Sequence, residues 1–274
     1  MIINELEKQK ISDNILRSAK YRGKGLNPYT IQDLIDQEAP KYTSKRALIK
    51  AVRRKLHNIV APYLGDPDYS KLHMHLSRLQ DYSLGSPQLQ SFCLKVLNLH
   101  ASTAERVPHL AQFYDKLFSV IGKPQIILDL ACGLHPLAFP WMDLPLTTQY
   151  HAFDIIQSRI DFINAFFNKI GLAPLAKNQD ILTQTPGFHA NLGIFFKEAH
   201  RFEKRSPGSN KNFFSSLDVD LLAVSLPNMD LTGNHSLLSR HRDLINRNLP
   251  TNRIISELLI EDEIIFLIEK PGLI

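Results

Sequence analysis

The sequence predicts an α/β protein: a doubly wound, seven-stranded, Rossmann-like sheet preceded by an N-terminal all-helical domain. Three observations carry this. Residues 1–105 show no alternating apolar–polar run, and their Gly and Pro residues fall between stretches of helical periodicity. From Lys123 onward, short branched apolar runs alternate with helical stretches, the texture of a parallel sheet with crossover helices. The last two runs, RIISELLI and EIIFLIEK, are separated by two residues and read as an antiparallel hairpin.

Composition narrows the class. The 274 residues are 44% hydrophobic and 22% charged, which suits one large or two smaller globular domains. No apolar run approaches the roughly 20 residues that span a bilayer, so no membrane association is expected. The opening MIINELEKQK lacks the apolar core and cleavage site of a secretory signal. Cys93 and Cys132 make no disulfide framework, and the cytoplasm is the expected compartment. The net charge of +5 is unevenly spread: residues 1–60 carry 13 Lys/Arg against 6 Asp/Glu, and the rest 19 against 21. A basic section on a near-neutral remainder points to a polyanionic partner, most simply nucleic acid; a merely soluble basic surface is the alternative.

The most informative N-terminal stretch is SKRALIKAVRRKLHNI. Ser44 is placed to cap a helix. Leu48, Val52, Leu56 and Ile59 form an apolar stripe, and Arg46, Lys50, Arg53, Arg54 and His57 share the other side. No acid falls between Ser44 and Ile59, so this face is expected to contact phosphates rather than merely to be solvated. Lys20, Arg22 and Lys24 extend it. Tyr21 and Tyr29 are candidates for stacking on bases or for packing. A helix over SFCLKVLNLH presents Phe92, Val96 and Leu99 to a core. Ser102 and Glu105 have capping-box spacing and mark a new helix with Leu110, Phe113, Tyr114, Leu117 and Phe118. Arg106 lies in its first turns, as a fork for a ligand carboxylate or as a surface ion pair.

Strands are expected near 125–131, 149–154, 173–177, 190–196, 219–226, 253–260 and 263–269. In IILDLACGLHP the first strand runs into the small-residue turn Ala131-Cys132-Gly133, where Gly133 can take a positive φ. Ligands of open α/β sheets sit at this edge. Asp154 ends the second strand 21 residues after Gly133, the spacing of an acid that accepts from ribose hydroxyls. Gln179-Asp180-Ile181-Leu182 follows the third strand; Asp180 is suited to the adenine amino group, with Ile181 and Leu182 over the ring. The turn lacks the full G-x-G-x-x-G pattern, so these features favour S-adenosylmethionine (SAM) over NAD. The predicted architecture is therefore the seven-stranded SAM-dependent methyltransferase variant, with a helical docking domain over 1–105 and the methyltransferase domain over 106–274. Phe139 and Trp141, just past the turn, either stack on a ligand or pack in the core. No metal site is expected.

LNLHASTAERVPHLAQFYDKLF followed by ILDLACGLHPLAFP resembles the aminoglycoside-resistance 16S rRNA methyltransferases of the Arm/Rmt family. RRKLH at 53–57, FDI at 153–155, QDIL at 179–182, IFFK at 194–197, VSLP at 224–227 and the closing IIFLIEK fit the same family in the same order. The resemblance implies methyl transfer from SAM to guanine N7 in the decoding A-site helix of 16S rRNA, within the 30S subunit, and aminoglycoside resistance. It implies that Arg106 holds the methionine carboxylate, with His100, Ser102, Ala131 and Gly133 at the same end. Asp154 and Ile155 would take the ribose, and Gln179, Asp180 and Ile181 the adenine. Guanine N7 has a free lone pair, so no general base is expected, and Lys197 is a positioning residue beside the target. Lys20, Arg46, Lys50, Arg53, Arg54, His57 and Arg240 would contact RNA, from a monomer. The sequence also departs from the family. His135 stands where Asn is usual, the segment after Pro227 retains Gly233 but has Asp230 in a usually cationic region, and residues 198–216 are more polar. Arg240, His241 and Arg242 are candidates to replace the missing cations. Two alternatives stay open: methylation of another RNA base such as adenine N1, and a non-catalytic rRNA-binding homologue.

Overall fold

The apolar runs join into one seven-stranded sheet of order β3-β2-β1-β4-β5-β7-β6 in the computed structural model, which describes residues 1–60, 67–230, 233–249 and 255–269. The strands are β1 (Ile126–Leu130), β2 (Gln149–Asp154), β3 (Lys177–Asn178), β4 (Ala190–Phe196), β5 (Val219–Pro227), β6 (Ile255–Ile260) and β7 (Glu263–Glu269). The first five run parallel; β7 enters antiparallel between β5 and β6, which makes the closing hairpin. The central strands are buried along most of their length, as continuous branched apolar runs covered on both faces must be.

The expected third strand, 173–177, is corrected to two residues. Pro174 has no N–H to give a ladder, and both backbone groups of Ala176 are taken by the side-chain amide of Asn164 in α8 (Gln157–Ile170). Of the sixth expected strand, residues 253–254 lie outside the described residues.

The helices fall into three packing groups. Helices α1 (Glu5–Leu16), α2 (Pro28–Glu38) and α3 (Lys45–Val60) enclose their own core of Ile11, Ile15, Leu34, Ile35, Leu48, Val52 and Leu56. Asn4 and Asn27 cap the first two, and the Ser44 carbonyl accepts the first backbone bond of α3. Helices α4 (Tyr69–Ser77), α5 (Pro87–Leu97) and α7 (Leu110–Ile121) share one core with α8 on one sheet face, and the single turn α6 (Ala101–Ala104) links α5 to α7. Helices α9 (Ala199–Arg205), α10 (Ser209–Ser216) and α11 (Leu238–Asn248) cover the opposite face. The helical section expected as one unit over 1–105 thus holds two packing groups, and the change falls between Val60 and Tyr69.

Two local expectations are corrected. The helix expected over 91–100 begins earlier, at the Ser86 cap with Pro87 in its first turn, and ends at Leu97; Leu99 is 47% exposed. The Ser102–Glu105 capping box does not form. Helix α6 already starts at Ala101 with His100 at its N-cap, and Glu105 turns to Lys197. Helix α7 starts only after a short 3-10 turn, Val107–His109, containing Pro108.

The α1–α3 bundle is stitched to the carboxyl edge of β2 and β3. Asn27 N–H donates to the Ile155 carbonyl (2.8 Å), Gln157 N–H to the Gly25 carbonyl (3.0 Å), and Asn27 Nδ2 to Asn178 Oδ1 (2.9 Å). Gly25 is required here: its φ is +61°, and a Cβ would stand 2.5 Å from Gln157 Cβ. Ile156 reaches across to complete the bundle core. Among the described residues, no helix is long and apolar enough to cross a membrane.

Candidate functional site

The turn after β1 takes its shape from two left-handed residues, Ala131 (φ +57°) and Gly133 (φ +55°). They aim the backbone at the end of β2: Cys132 N–H donates to the Phe153 carbonyl (2.8 Å) and Gly133 N–H to Asp154 Oδ2 (3.2 Å). Arg159 Nη1 also donates to Asp154 Oδ2 (2.6 Å), and Ile156 N–H to Oδ1 (2.9 Å). A charge this buried needs such partners. His100 backs the turn; a Cβ on Gly133 would lie 3.3 Å from its Nδ1.

Two small cavities meet at this turn. The first, about 20 Å³, is lined by Ser102, Arg106, Asp129, Gly133, His135 and Phe196, among others. The second, about 50 Å³, is lined by Asp154, Ile155, Gln179, Asp180, Ile181 and Arg205, with Ile59 and Val60 from the end of α3. Ala131 and Glu198 line both. All ten expected cofactor residues except His100 line one cavity or the other, and His100 stands directly behind Gly133.

Arg106 is buried and is no surface ion pair. Its Nε and Nη2 donate to the two carboxylate oxygens of Glu263 (both 2.7 Å), and Nη2 also to Ser225 Oγ (3.2 Å). Its guanidinium lies over the rings of Phe113 (5.0 Å) and Phe196 (4.5 Å). Glu263 opens β7 and pairs with Lys197 Nζ as well (3.0 Å), while Lys197 also reaches Glu105. Burial alone would raise the Glu263 pKa; Arg106 and Lys197 overcome it and hold the carboxyl below its ordinary range. Sequence reasoning missed Glu263. The signal was an acid heading an otherwise apolar hairpin strand.

Asp180 is tied to the α1–α3 bundle. Its Oδ2 accepts from Thr30 Oγ1 (2.6 Å) and pairs with Arg205 Nη1 (2.7 Å), its Oδ1 accepts from Leu182 N–H (3.1 Å), and Arg205 Nη2 reaches Asp33 (2.7 Å). Thr30, Asp33 and Arg205 also escaped the sequence reading. Beneath the first cavity, Asp129 Oδ2 accepts from Tyr150 OH (2.7 Å) and pairs with His135 Nδ1 (2.8 Å), whose Nε2 bonds Tyr114 OH (2.6 Å). His135 therefore belongs to a closed buried network. Phe139 and Trp141 pack in or against the core and line neither cavity.

The cationic set sits elsewhere. Arg46, Lys50, Arg53 and Arg54 are exposed on α3. Lys20 Nζ lies 2.6 Å from His57 Nδ1, which places it on the same face. Lys55 points away, paired with Glu38. Tyr21 is core and Tyr29 is exposed. Arg240 is exposed on α11, in a different packing group. Of its neighbours, His241 is buried against the Pro227 carbonyl and Arg242 is held by Glu257, so neither is a free replacement cation.

The family model for ribosomal RNA methyltransferase (FmrO) matches residues 17–246. The chain belongs to this family. Solved structures of 16S rRNA methylases share its architecture. The 16S rRNA methylase RmtB superimposes with a TM-score of 0.80 at 28% identity, over 98% of this chain and 100% of that one. RmtF, solved with S-adenosyl-L-homocysteine, shares the fold at a TM-score of 0.81 and 24% identity, over 98% and 100%. A 16S rRNA (guanine(1405)-N(7))-methyltransferase from Serratia marcescens is 30% identical over 261 residues, 94% of this chain and 97% of that protein. One of the same name from Micromonospora rosea is 29% identical over 226 residues, 81% and 82%.

Proposed function

We propose that this chain transfers a methyl group from SAM to N7 of a guanine in the decoding A-site helix of 16S rRNA, acts on the 30S subunit, and confers aminoglycoside resistance. The observation that carries this is the similarity, over nearly the whole chain, to relatives named for that reaction.

The donor set fits SAM. A buried guanidinium, Arg106, borders a turn that only small residues can make, as a carboxylate subsite requires. The buried Asp154 carboxylate, at the end of β2, suits ribose hydroxyls. Asp180 and Ile181 supply an acceptor and an apolar wall for adenine. Side chains lining the two small cavities, Glu198 between them above all, move apart to admit the ligand. SAM supplies an electrophilic methyl on a sulfonium. N7 attacks with its own lone pair, so the protein removes no proton and contributes orientation and exclusion of water. Lys197, neutralised by Glu105 and Glu263, acts by position.

RNA docking falls to the α1–α3 bundle, with Lys20, Arg46, Lys50, Arg53, Arg54 and His57 on phosphates and Arg240 as an outlying contact. Helices α4 and α5 serve the methyltransferase half whose core they share. The enzyme works as a cytoplasmic monomer, one docking bundle per target. Incubating 30S subunits with methyl-labelled SAM tests the proposal: label is expected in 16S rRNA, at a position cleaved by chemistry specific for 7-methylguanosine. Label at adenine N1 would favour the other-base reading. Salt-sensitive 30S binding with no incorporation at saturating SAM would sink the enzyme reading.

A further inference from the structure

We propose that Arg205 is a cofactor-binding residue whose Nε–H donates to a ring nitrogen of adenine, beside the carboxylate of Asp180. The proposal rests on the second cavity being the adenine end, and it deepens that reading.

Two leftover hydrogen-bonding groups on the cavity wall carry it. The first is on Arg205, 8% exposed and lining the cavity. Its Nη1 is committed to Asp180 and its Nη2 to Asp33, both at 2.7 Å, while its Nε is buried without a partner. A guanidinium can only donate, and a buried donor left unmatched costs about 1–3 kcal/mol. Such a group in a cavity wall is open to an acceptor that a ligand brings. The second is on Asp180. A carboxylate offers about four lone-pair positions. Thr30 and Arg205 fill those of Oδ2, and Leu182 N–H takes one on Oδ1, which leaves Oδ1 one position.

The wall therefore presents one donor and one acceptor on two residues locked to each other. Adenine offers the complement: an exocyclic amino donor and ring-nitrogen acceptors. Hypoxanthine and guanine carry a carbonyl in place of that amino group, which a carboxylate rejects. Asp33 and Asp180 hold the planar guanidinium at both outer nitrogens, so little side-chain entropy remains to be lost on binding. Asp33 and Thr30 belong to α2. The donor that reads the base is thus set in place by the RNA-docking bundle.

Calorimetric titration with S-adenosylhomocysteine, its 1-deaza, 3-deaza and 7-deaza analogues, and S-inosylhomocysteine tests this. The wild-type protein and Arg205→Lys are compared; lysine keeps the charge between Asp33 and Asp180 but has no N–H at the Nε position. At least one deaza analogue is expected to bind wild type roughly tenfold more weakly than the parent, as one lost hydrogen bond predicts. That penalty should fall to within about twofold in Arg205→Lys, while the inosyl penalty, read through Asp180, persists. Deaza penalties that are all unchanged in Arg205→Lys would make Arg205 a structural tie only and overturn the proposal. So would a wild-type protein indifferent to all three nitrogens, a result that needs no variant to fold. Inosyl and adenosyl ligands of equal affinity would instead overturn the adenine reading of the cavity, and this proposal with it.

Discussion

Glu263 shows what one residue does for several others. It neutralises Arg106 in a place water does not reach and pairs with Lys197 at the edge of that place. Glu263→Gln keeps the shape and takes the counter-charge from the buried Arg106, while Lys197 keeps Glu105, and breaking a buried pair this way costs about 3–5 kcal/mol. Urea unfolding should show that loss, and SAM titration a weaker affinity through a loosened Arg106. The sign of the pH effect follows from the lowered pKa: this stabilisation is present above the ordinary carboxylate range and is lost as pH falls through the folded value. His200 is the opposite kind of group. Burial first, then Arg201, His241, Lys204 and Arg240, push its pKa down to about 4. An unfolded histidine titrates near 6.5, so folding releases a proton between those values. The stability His200 allows is full above about pH 6.5 and falls as the pH drops toward 4. Thermal midpoints of wild type and His200→Gln between pH 7 and 4.5 should converge at the acid end. Candidate residues such as Arg106, Asp154 and Asp180 were legible because each abuts a turn or strand end. Their partners Arg159, Glu263, Thr30 and Arg205 were not, because pairings across the fold leave no spacing in the chain.

At the scale of elements, β1, β2, β4, β5 and β7 were legible from short, mostly apolar runs bounded by turns. The third strand did not, because Ala173-Pro174 near its expected start cannot join a ladder and only Lys177–Asn178 pair. The capping box at Ser102 was a true spacing in the wrong place, overridden when α6 took its N-cap two residues earlier, at His100. The seam between bundle and sheet had no sequence signature beyond Gly25. Gly25→Ala forces a left-handed alanine and a Cβ 2.5 Å from Gln157 Cβ, and should cost at least about 2 kcal/mol in a urea titration. Gly187→Ala, with nothing within 4 Å and an unremarkable backbone, should be neutral.

Across the whole molecule, the exposed cations of α3 and the two cavities at the sheet edge lie on different faces of the bundle, joined where Ile59 and Val60 reach the second cavity. The excess of cations in residues 1–60 was readable from composition, and the structure gathers much of it on one exposed face of α3. Replacing Arg53 and Arg54 by Glu should weaken 30S association and flatten its log–log salt dependence by about 2, with SAM affinity unchanged. Asp154→Ala should do the reverse. If both variants stay folded yet lose both properties together, the separation is wrong.

Ile156 gives this division a consequence in time. It is a core residue of a bundle whose other core members lie within residues 11–60. During synthesis the basic helices emerge first, and the residue that seals them is made roughly a hundred positions later, some 5–20 s at ordinary elongation rates. Until then the nascent chain carries its cationic helix on an unfinished core. A product terminated before Ile156 never completes this core, so the basic face rests on a finished bundle only in chains that have also begun to build the sheet.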